Sequence, residues 1–411
     1  MKEAVGEIPP LSPASLNGSR DENTAPPSPC RLAAQAERGD LTMILELADE
    51  WRAVCEAGRY NQPFFRPEWI HACAQAFAPA AKLLLITVRE QGRLRAVLPL
   101  REVKRRFLGV PISRLSSITH SDYSCRFDIV HDSANGGDEL IEAIWNRLKA
   151  QPEWDELELS NIPSGGGTEA LLGLARRDGF RAWQEDLVRS PYIDLTAEER
   201  NGDFTCFVRS ANLKRKLRRR WKKLQELGHV RLSREDCAGT EVLGRFYELE
   251  RGGWKGKDGT AIACHPEVKQ FYDLVAEQAS HFGYFSLYFL EVSGKPIAAH
   301  FGLTLAGRYF PLKVAYDESY GEFSPGHLML GQVLQDVIQQ GAFECECLGD
   351  NEEWKMQWQV EIRPHSICHI YRNRRRADWL GLHDRIRHKL RLAAVRMAKR
   401  LLSSFRALHH H

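Results

Sequence analysis

The chain of 411 residues has room for two or three domains, and 43% hydrophobic with 27% charged residues is the balance of a water-soluble globular protein. A formal net charge of +3 argues against a uniformly basic surface, so cationic character must be local. Ten scattered cysteines without a CxxC pair argue against a disulfide framework or a zinc site, and suit a reducing cytoplasm.

No secretory h-region opens the chain, and no apolar run reaches the roughly 18 residues that span a bilayer. The expected location is the cytoplasm. Residues 1–40, rich in Pro, Ser and Ala, have too little apolar surface to offset the entropy of ordering and are expected to be disordered. From Leu41 the spacing predicts a helix over 44–57, and Pro63-Phe64-Phe65 breaks before a second helix, Pro67 to Phe77, with Pro67 in its first turn. Strands are predicted at 82–89, 94–100, 127–131 and 157–159, helices at 138–150 and 170–178, and a closing strand at 190–195. This makes one mixed α/β domain over 41–195. Gly165-Gly166-Gly167 lacks a GxGxxG or GKS context and reads as a flexible turn.

A linking helix follows within 196–228, with Ser210 as N-cap, Gly228 as stop signal and an apolar stripe of Leu213, Leu217, Trp221, Leu224 and Leu227. Eight Lys or Arg residues fall between Lys214 and Lys223. They form either a solvated face or a contact for an anionic ligand, lipid headgroups or RNA. Trp221 is the single aromatic among them and no nucleic-acid motif surrounds it, so nucleic acid is the weakest of these readings.

The second domain, 229–372, reads as strand, helix, Gly-punctuated loop, helix, three strands, loop, helix, strand, a short acidic helix start and a last strand. Its centre is 313–355. A strand ending at Tyr316 leads through a turn-rich loop to Pro325-Gly326, which opens an amphipathic helix, and a second strand at 343–348 follows. A free helix N-terminus between two strands is an architecture that binds phosphates on backbone N–H groups. The tail, 373–411, adds to a run in which residues 372–408 hold twelve Lys or Arg against two Asp. Trp379, Leu382, Ile386, Leu390, Ala393, Met397 and Leu401 recur at helical spacing, so it reads as a basic amphipathic helix. It either packs back on the protein or lies on the anionic inner face of a membrane.

Five motifs of the second domain resemble the CelD-like branch of the GNAT acyltransferase superfamily, related to the Fem-type peptidyltransferases with two GNAT-like domains in tandem. They are Trp254-Lys255-Gly256-x-x-Gly259-Thr260-Ala261, Gly294-Lys295-Pro296-Ile297-Ala298-Ala299, Ala315-Tyr316-Asp317-Glu318, Ser324-Pro325-Gly326, and Glu346-Cys347-Leu348-Gly349-Asp350-x-x-x-Trp354-Lys355. The resemblance spans roughly 41–372 and is strongest over 250–358. The family usually has Asp where Glu346 stands and Tyr where Trp354 stands, and a Trp has no phenolic proton to donate. The usual acetyl-CoA signature, Q/RxxGxG/A, is absent, with Ser324-Pro325-Gly326 in its place.

The resemblance implies an α/β (α+β) fold of two GNAT-like domains, mixed sheets flanked by helices. It implies an N-acyltransferase with no permanently bound cofactor. An acyl-CoA or acyl-carrier-protein thioester would be its co-substrate, and an amine of a lipid pathway or an envelope amino sugar its acceptor. The thioester would lie between splayed strands at 308–316 and 343–348. Tyr316, Ser324, Pro325, Gly326 and the N–H groups of His327, Leu328 and Met329 would then hold its phosphates. Acyl transfer needs a neutral amine, a stabilised oxyanion and a proton for the thiolate. Asp317, Glu318 or His300 would serve as base, Lys355 would stabilise the oxyanion, and Asp350 would orient Lys355 or the amine. Trp254, Lys255, Gly256 and Thr260 would line the acceptor site. The rival readings are an aminoacyl-tRNA-dependent Fem-type transferase, without the coiled-coil insertion usual there, and a non-catalytic GNAT-like binding protein.

Overall fold

The structure, a computed structural model, describes residues 32–107, 109–120, 126–196, 203–372 and, beyond these, 378, 379, 386, 390, 393 and 397. The expected disorder of 1–40 therefore lies, up to residue 31, outside the described residues. From Leu32 the chain already belongs to a sheet. Strand β1 (Leu32–Gly39) pairs antiparallel with β2 (Leu83–Glu90) along its whole length. Of its inward positions Leu32, Ala34 and Ala36, two are alanines, so composition hides an edge strand that backbone hydrogen bonds hold in place.

Helices α1 (Thr42–Glu46), α2 (Ala48–Glu56) and α3 (Pro67–Phe77) follow, and α3 has the bounds that its spacing predicts. Strand β3 (Arg93–Phe107) outruns its predicted end and pairs with β4 (Val110–Ser117), a strand concealed because its apolar residues do not alternate. The short β5 (Val130–His131), α4 (Gly137–Lys149), β6 (Glu156–Pro163), α5 (Gly167–Arg177) and β7 (Arg181–Asp194) complete the first half. The three glycines at 165–167 are more than a flexible turn. The buried Asp128 carboxylate accepts from the Gly167 and Thr168 N–H groups and caps α5 across the fold. A Cβ at Gly166 would stand 1.8 Å from Asp128 Oδ2, so only glycine admits this cap.

The second half contains α6 (Ala211–Glu226), β8 (Val230–Glu235), α7 (Thr240–Gly252), the one-turn α8 (Trp254–Lys257) and α9 (Pro266–His281). Strands β9 (Phe285–Val292), β10 (Lys295–Leu305) and β11 (Arg308–Tyr316), helix α10 (Pro325–Gln339), and strands β12 (Glu344–Glu346) and β13 (Glu361–Tyr371) complete it. The Ser210 hydroxyl accepts from Leu213 N–H at 3.4 Å, as an N-cap does.

All these strands form one sheet in the order β1-β2-β3-β4-β6-β13-β7-β12-β11-β10-β9-β8, with β5 beside β3. The order shows a strand exchange. The last strand, β13, inserts between β6 and β7 of the first half, and β7 in turn pairs with β12 of the second. Each half completes its sheet with a strand of the other, so the predicted boundary at 195 separates elements that share one ladder. Helices α3 and α9 seal the junction on one face. Trp69 packs edge-on against Phe271 at 5.2 Å and Phe64 against Phe310 at 5.3 Å. Burying such rings contributes about 1.5–3 kcal/mol each. Helices α6 and α10 cover the other face over Tyr288, Tyr309, Ile193 and Cys345. Cys347 lies in that same core.

No helix among the described residues is long and apolar enough to cross a membrane. Most of the predicted tail helix lies outside the described residues. Those described within it, Asp378, Trp379, Ile386, Leu390, Ala393 and Met397, are helical and exposed.

Candidate functional site

Strands β11 and β12 run parallel but pair only at Arg308–Glu344 and Tyr309–Cys345. Beyond those pairs β11 continues to Tyr316, while the β12 chain turns away at Leu348 and Gly349, with φ of 55° and 60°. The second half of β11 thus has β10 on one side and, among the described residues, no strand on the other. An open strand edge offers N–H and C=O groups to an extended, amide-bearing ligand.

The N-terminus of α10 stands at the open end of this cleft. Ser324 is left-handed (φ 55°) and gives the helix no side-chain cap, and the first turn holds no acidic residue. Its carbonyl accepts from the N–H groups of both His327 (3.0 Å) and Leu328 (3.1 Å), so those amides are not the free cradle that the sequence suggests. Leu328 and Met329 turn their side chains into the core. Pro325 has no N–H, which leaves Gly326 as the donor at the tip, and Tyr316 Cδ1 would be 4.0 Å from a Cβ there. Arg220, from the basic helix α6, donates Nη1 to the Ser324 hydroxyl at 2.5 Å. A cation, an uncapped helix end and a glycine therefore converge on one point. The matching helix of the first half, α4, carries Asp138 and Glu139 in its first turn, which repel an anion.

His327 is held chiefly by Trp358, which lies outside the motifs. Trp358 stacks on it at 5.9 Å and donates Nε1–H to its Nδ1 at 3.2 Å, which leaves the neutral ring's proton on Nε2. Burial, aided by Arg220, holds its pKa below the usual imidazole range. Trp354 approaches the same ring edge-on at 6.4 Å.

The other predicted residues fall into three groups. Lys355 is buried and donates to the carbonyls of Leu348 (2.6 Å) and Asp350 (3.1 Å), which pins the turn where β12 leaves β11. Asp350 meets it through that carbonyl. The Asp350 carboxylate instead accepts from the Asn351 and Arg189 N–H groups. Lys255 donates to Glu250 (2.9 Å) and to the Val314 carbonyl (2.7 Å), anchoring α8 to β11 beside the cleft. Gly256 passes so close to Arg251 that a Cβ would stand 1.8 Å from its carbonyl oxygen, and the exposed Thr260 donates to the Lys255 carbonyl. Trp254 opens α8.

The candidate bases are engaged. Asp317 caps the turn after β11 through Ser319 and pairs with Lys295 at 2.8 Å. Its partial burial works to raise the carboxyl pKa, but the bonds from Lys295 and Ser319 outweigh that and hold it below the usual range. Glu318 pairs with Lys257. His300 lies inside the fold near the Tyr309 hydroxyl, and burial pushes its pKa down to about 3. It behaves as a neutral core histidine rather than an accessible base.

Residues 211–356 match the family model described as Acetyltransferase (GNAT) domain. A search of curated proteins finds no match. Among solved structures, FemX superposes with a TM-score of 0.54 at 13% identity, covering 81% of this chain and 96% of that one. A conserved protein of unknown function from Bacteroides thetaiotaomicron gives 0.53 at 11% identity, covering 82% and 100%. The C-terminal domain of a proposed lysylphosphatidylglycerol synthetase from Agrobacterium fabrum gives 0.51 at 12%, covering 84% and 96%. At such identities the likeness is one of fold. The chain is a mixed α/β protein in which residues 211–356 match a GNAT domain, and the cleft described above lies within that match.

Proposed function

We propose that the chain is an N-acyltransferase of the CelD-like branch. An acyl-CoA or acyl-carrier-protein thioester would lie along β11, with its phosphate end at Gly326 and Arg220. The observation that carries this reading is the meeting of the half-paired β11 edge with the uncapped, acid-free tip of α10. The acceptor's neutral amine attacks the thioester carbonyl, the C–S bond breaks, and the thiolate takes up a proton.

Asp317 and Glu318 both carry a lysine partner. The amine is therefore expected to arrive already neutral, and its proton to pass to water. Lys355 acts in this reading by fixing the turn at Leu348 and Gly349. Incubating purified chain with acyl-CoA and a panel of long-chain amines and amino sugars, read by mass spectrometry, tests it. An N-acyl product supports the reading, and hydrolysis at the background rate with every acceptor overturns it.

For the acceptor's setting, the exposed apolar residues Trp379, Ile386, Leu390 and Met397 on a basic tail suit an anionic membrane surface, which favours a lipid-linked amine at the inner leaflet. Co-sedimentation with phosphatidylglycerol vesicles that survives truncation at Arg372 would remove this part. Aminoacyl-tRNA as donor is the second reading. The exposed Arg215, Lys216, Arg219, Lys222 and Lys223 on α6 favour it, because they extend the charge that begins at Arg220. A salt-sensitive tRNA gel shift without thioester binding would select it.

A further inference from the structure

We propose that the cavity at the seam of the two halves is a subsite for a phosphate group carried by the acceptor, so that the acceptor is a phosphorylated amine about the size of a monosaccharide. The proposal rests on the acyl-transfer reading for the word acceptor, but its binding site stands on separate observations.

The cavity measures about 500 Å³ and is lined by Arg59, Arg126, Arg308 and Arg363, together with Tyr60 and Gln62. The four arginines come from the α2–α3 connection, the segment before β5, β11 and β13, and the strand exchange brings them to one place. Their carboxylate partners stand on β12. Arg308 bonds Glu344 at 3.0 Å, Arg363 bonds Glu344 at 3.0 Å and also pairs with Glu346, and Arg126 pairs with Glu346. Arg59 donates to the carbonyls of Ser164 and Gly165. Four guanidinium groups against two carboxylates leave a formal excess of two positive charges around one small cavity.

A self-sufficient ion-pair ladder accounts for Glu344 and Glu346 but not for this excess. Arg126 is the buried member of the four, and it shares its one carboxylate, Glu346, with Arg363, so a further anion is favoured there. Two further groups are unfinished. Arg126 is 1% exposed and its Nε has no hydrogen-bond partner, and His365, 2% exposed and two residues along β13 from Arg363, has none at Nε2. A tetrahedral phosphate, with oxygens facing several directions, suits guanidinium groups that converge from separate elements. A carboxylate is satisfied by a single arginine fork. The volume falls within the range of about 300–1,000 Å³ for small-molecule sites.

The location fits an acceptor. Glu346, whose carboxylate the inner arginines Arg126 and Arg363 hold, is the last residue of β12. Pairing with β11 has already ended there, so the cavity adjoins the point where an acyl group lying along β11 would emerge.

Calorimetric titration of the full chain with glucosamine 6-phosphate, glucosamine, inorganic phosphate and the carboxylate analogue glucosaminuronic acid tests the assignment. The expected result is that the phosphorylated amine binds at least about tenfold more tightly than glucosamine or glucosaminuronic acid, a gap typical of a lost charge-assisted contact. Inorganic phosphate is expected to compete. Arg59→Gln, at an exposed position, and Arg308→Gln are each expected to weaken binding severalfold with the melting temperature preserved. Equal affinity for the phosphorylated, carboxylated and plain amines overturns the proposal, as does indifference to both substitutions or loss of phosphate binding on Gly326→Val. Coenzyme A is titrated separately. Phosphate binding without coenzyme A binding sinks the acyl-transfer reading alone, and the converse sinks this one alone.

Discussion

Arg220 of α6 donates a 2.5 Å hydrogen bond to the hydroxyl of Ser324, the left-handed residue that precedes α10. This contact ties the basic linking helix to the one helix end in the cleft that is ready for a phosphate. Arg220→Gln removes the charge and keeps some hydrogen-bonding capacity. It should weaken thioester binding about tenfold, the scale of one charge-assisted contact. Titration with coenzyme A at two salt concentrations checks it. Unchanged affinity would assign Arg220 to packing alone.

Gly326 offers a second test, because stability and function should move apart. A Cβ at this position meets nothing closer than Tyr316 Cδ1 at 4.0 Å, so Gly326→Ala has room in the free protein. Replacing a helical glycine should stabilise the fold by up to about 0.5–1 kcal/mol. The same methyl group would stand where the ligand's phosphates approach the amide, and KM for the thioester should rise. Urea unfolding and steady-state kinetics on one preparation separate the two effects.

Lys355 is better described as a clamp than as a free catalytic ammonium. Its Nζ satisfies the Leu348 and Asp350 carbonyls in a turn with two positive-φ residues. Lys355→Met should cost about 2 kcal/mol by leaving the buried Leu348 carbonyl unsatisfied and should lower kcat together with stability. A variant that is fully stable but inactive would point instead to direct chemistry by the ammonium.

The buried His300 gives the pH dependence a sign. Its folded pKa lies at about 3, against an ordinary 6.5. Between those values the unfolded chain binds a proton that the folded chain refuses, so stability falls as pH drops below 6.5 and is unaffected above it. At pH 5 the loss from this residue is about 2 kcal/mol. His365, likewise at about 3, acts in the same direction. The drop between pH 7 and pH 5, measured by urea unfolding, should be smaller in His300→Leu by that amount. An equal drop in both proteins would show that His300 titrates normally.

Strong periodicity made part of this fold legible. Helix α3 carries the bounds that its pattern predicts, and the start of α10 is legible at Pro325-Gly326. What stayed hidden was non-local. The apolar residues of β4 do not alternate, β1 uses alanine, and no local signal tells β13 to insert between β6 and β7. The site followed the same division. Ser324, Gly326 and Tyr316 meet as their motifs suggested. In sequence Arg220 is one member of a charge run, and Trp358 lies outside every motif. Arg126, Arg308 and Arg363 share a cavity although long stretches of chain separate them. His300 misled because a histidine on a strand looks the same in sequence whether it faces a cleft or a core.

Titrating the purified chain with acyl-CoA by calorimetry, alongside Gly326→Val and Arg220→Gln, tests the central claim most directly. The account predicts saturable binding that Gly326→Val abolishes and Arg220→Gln weakens. A folded protein that binds no acyl-CoA, or binds it with the same affinity in both variants, would contradict the placement of a thioester at β11 and α10.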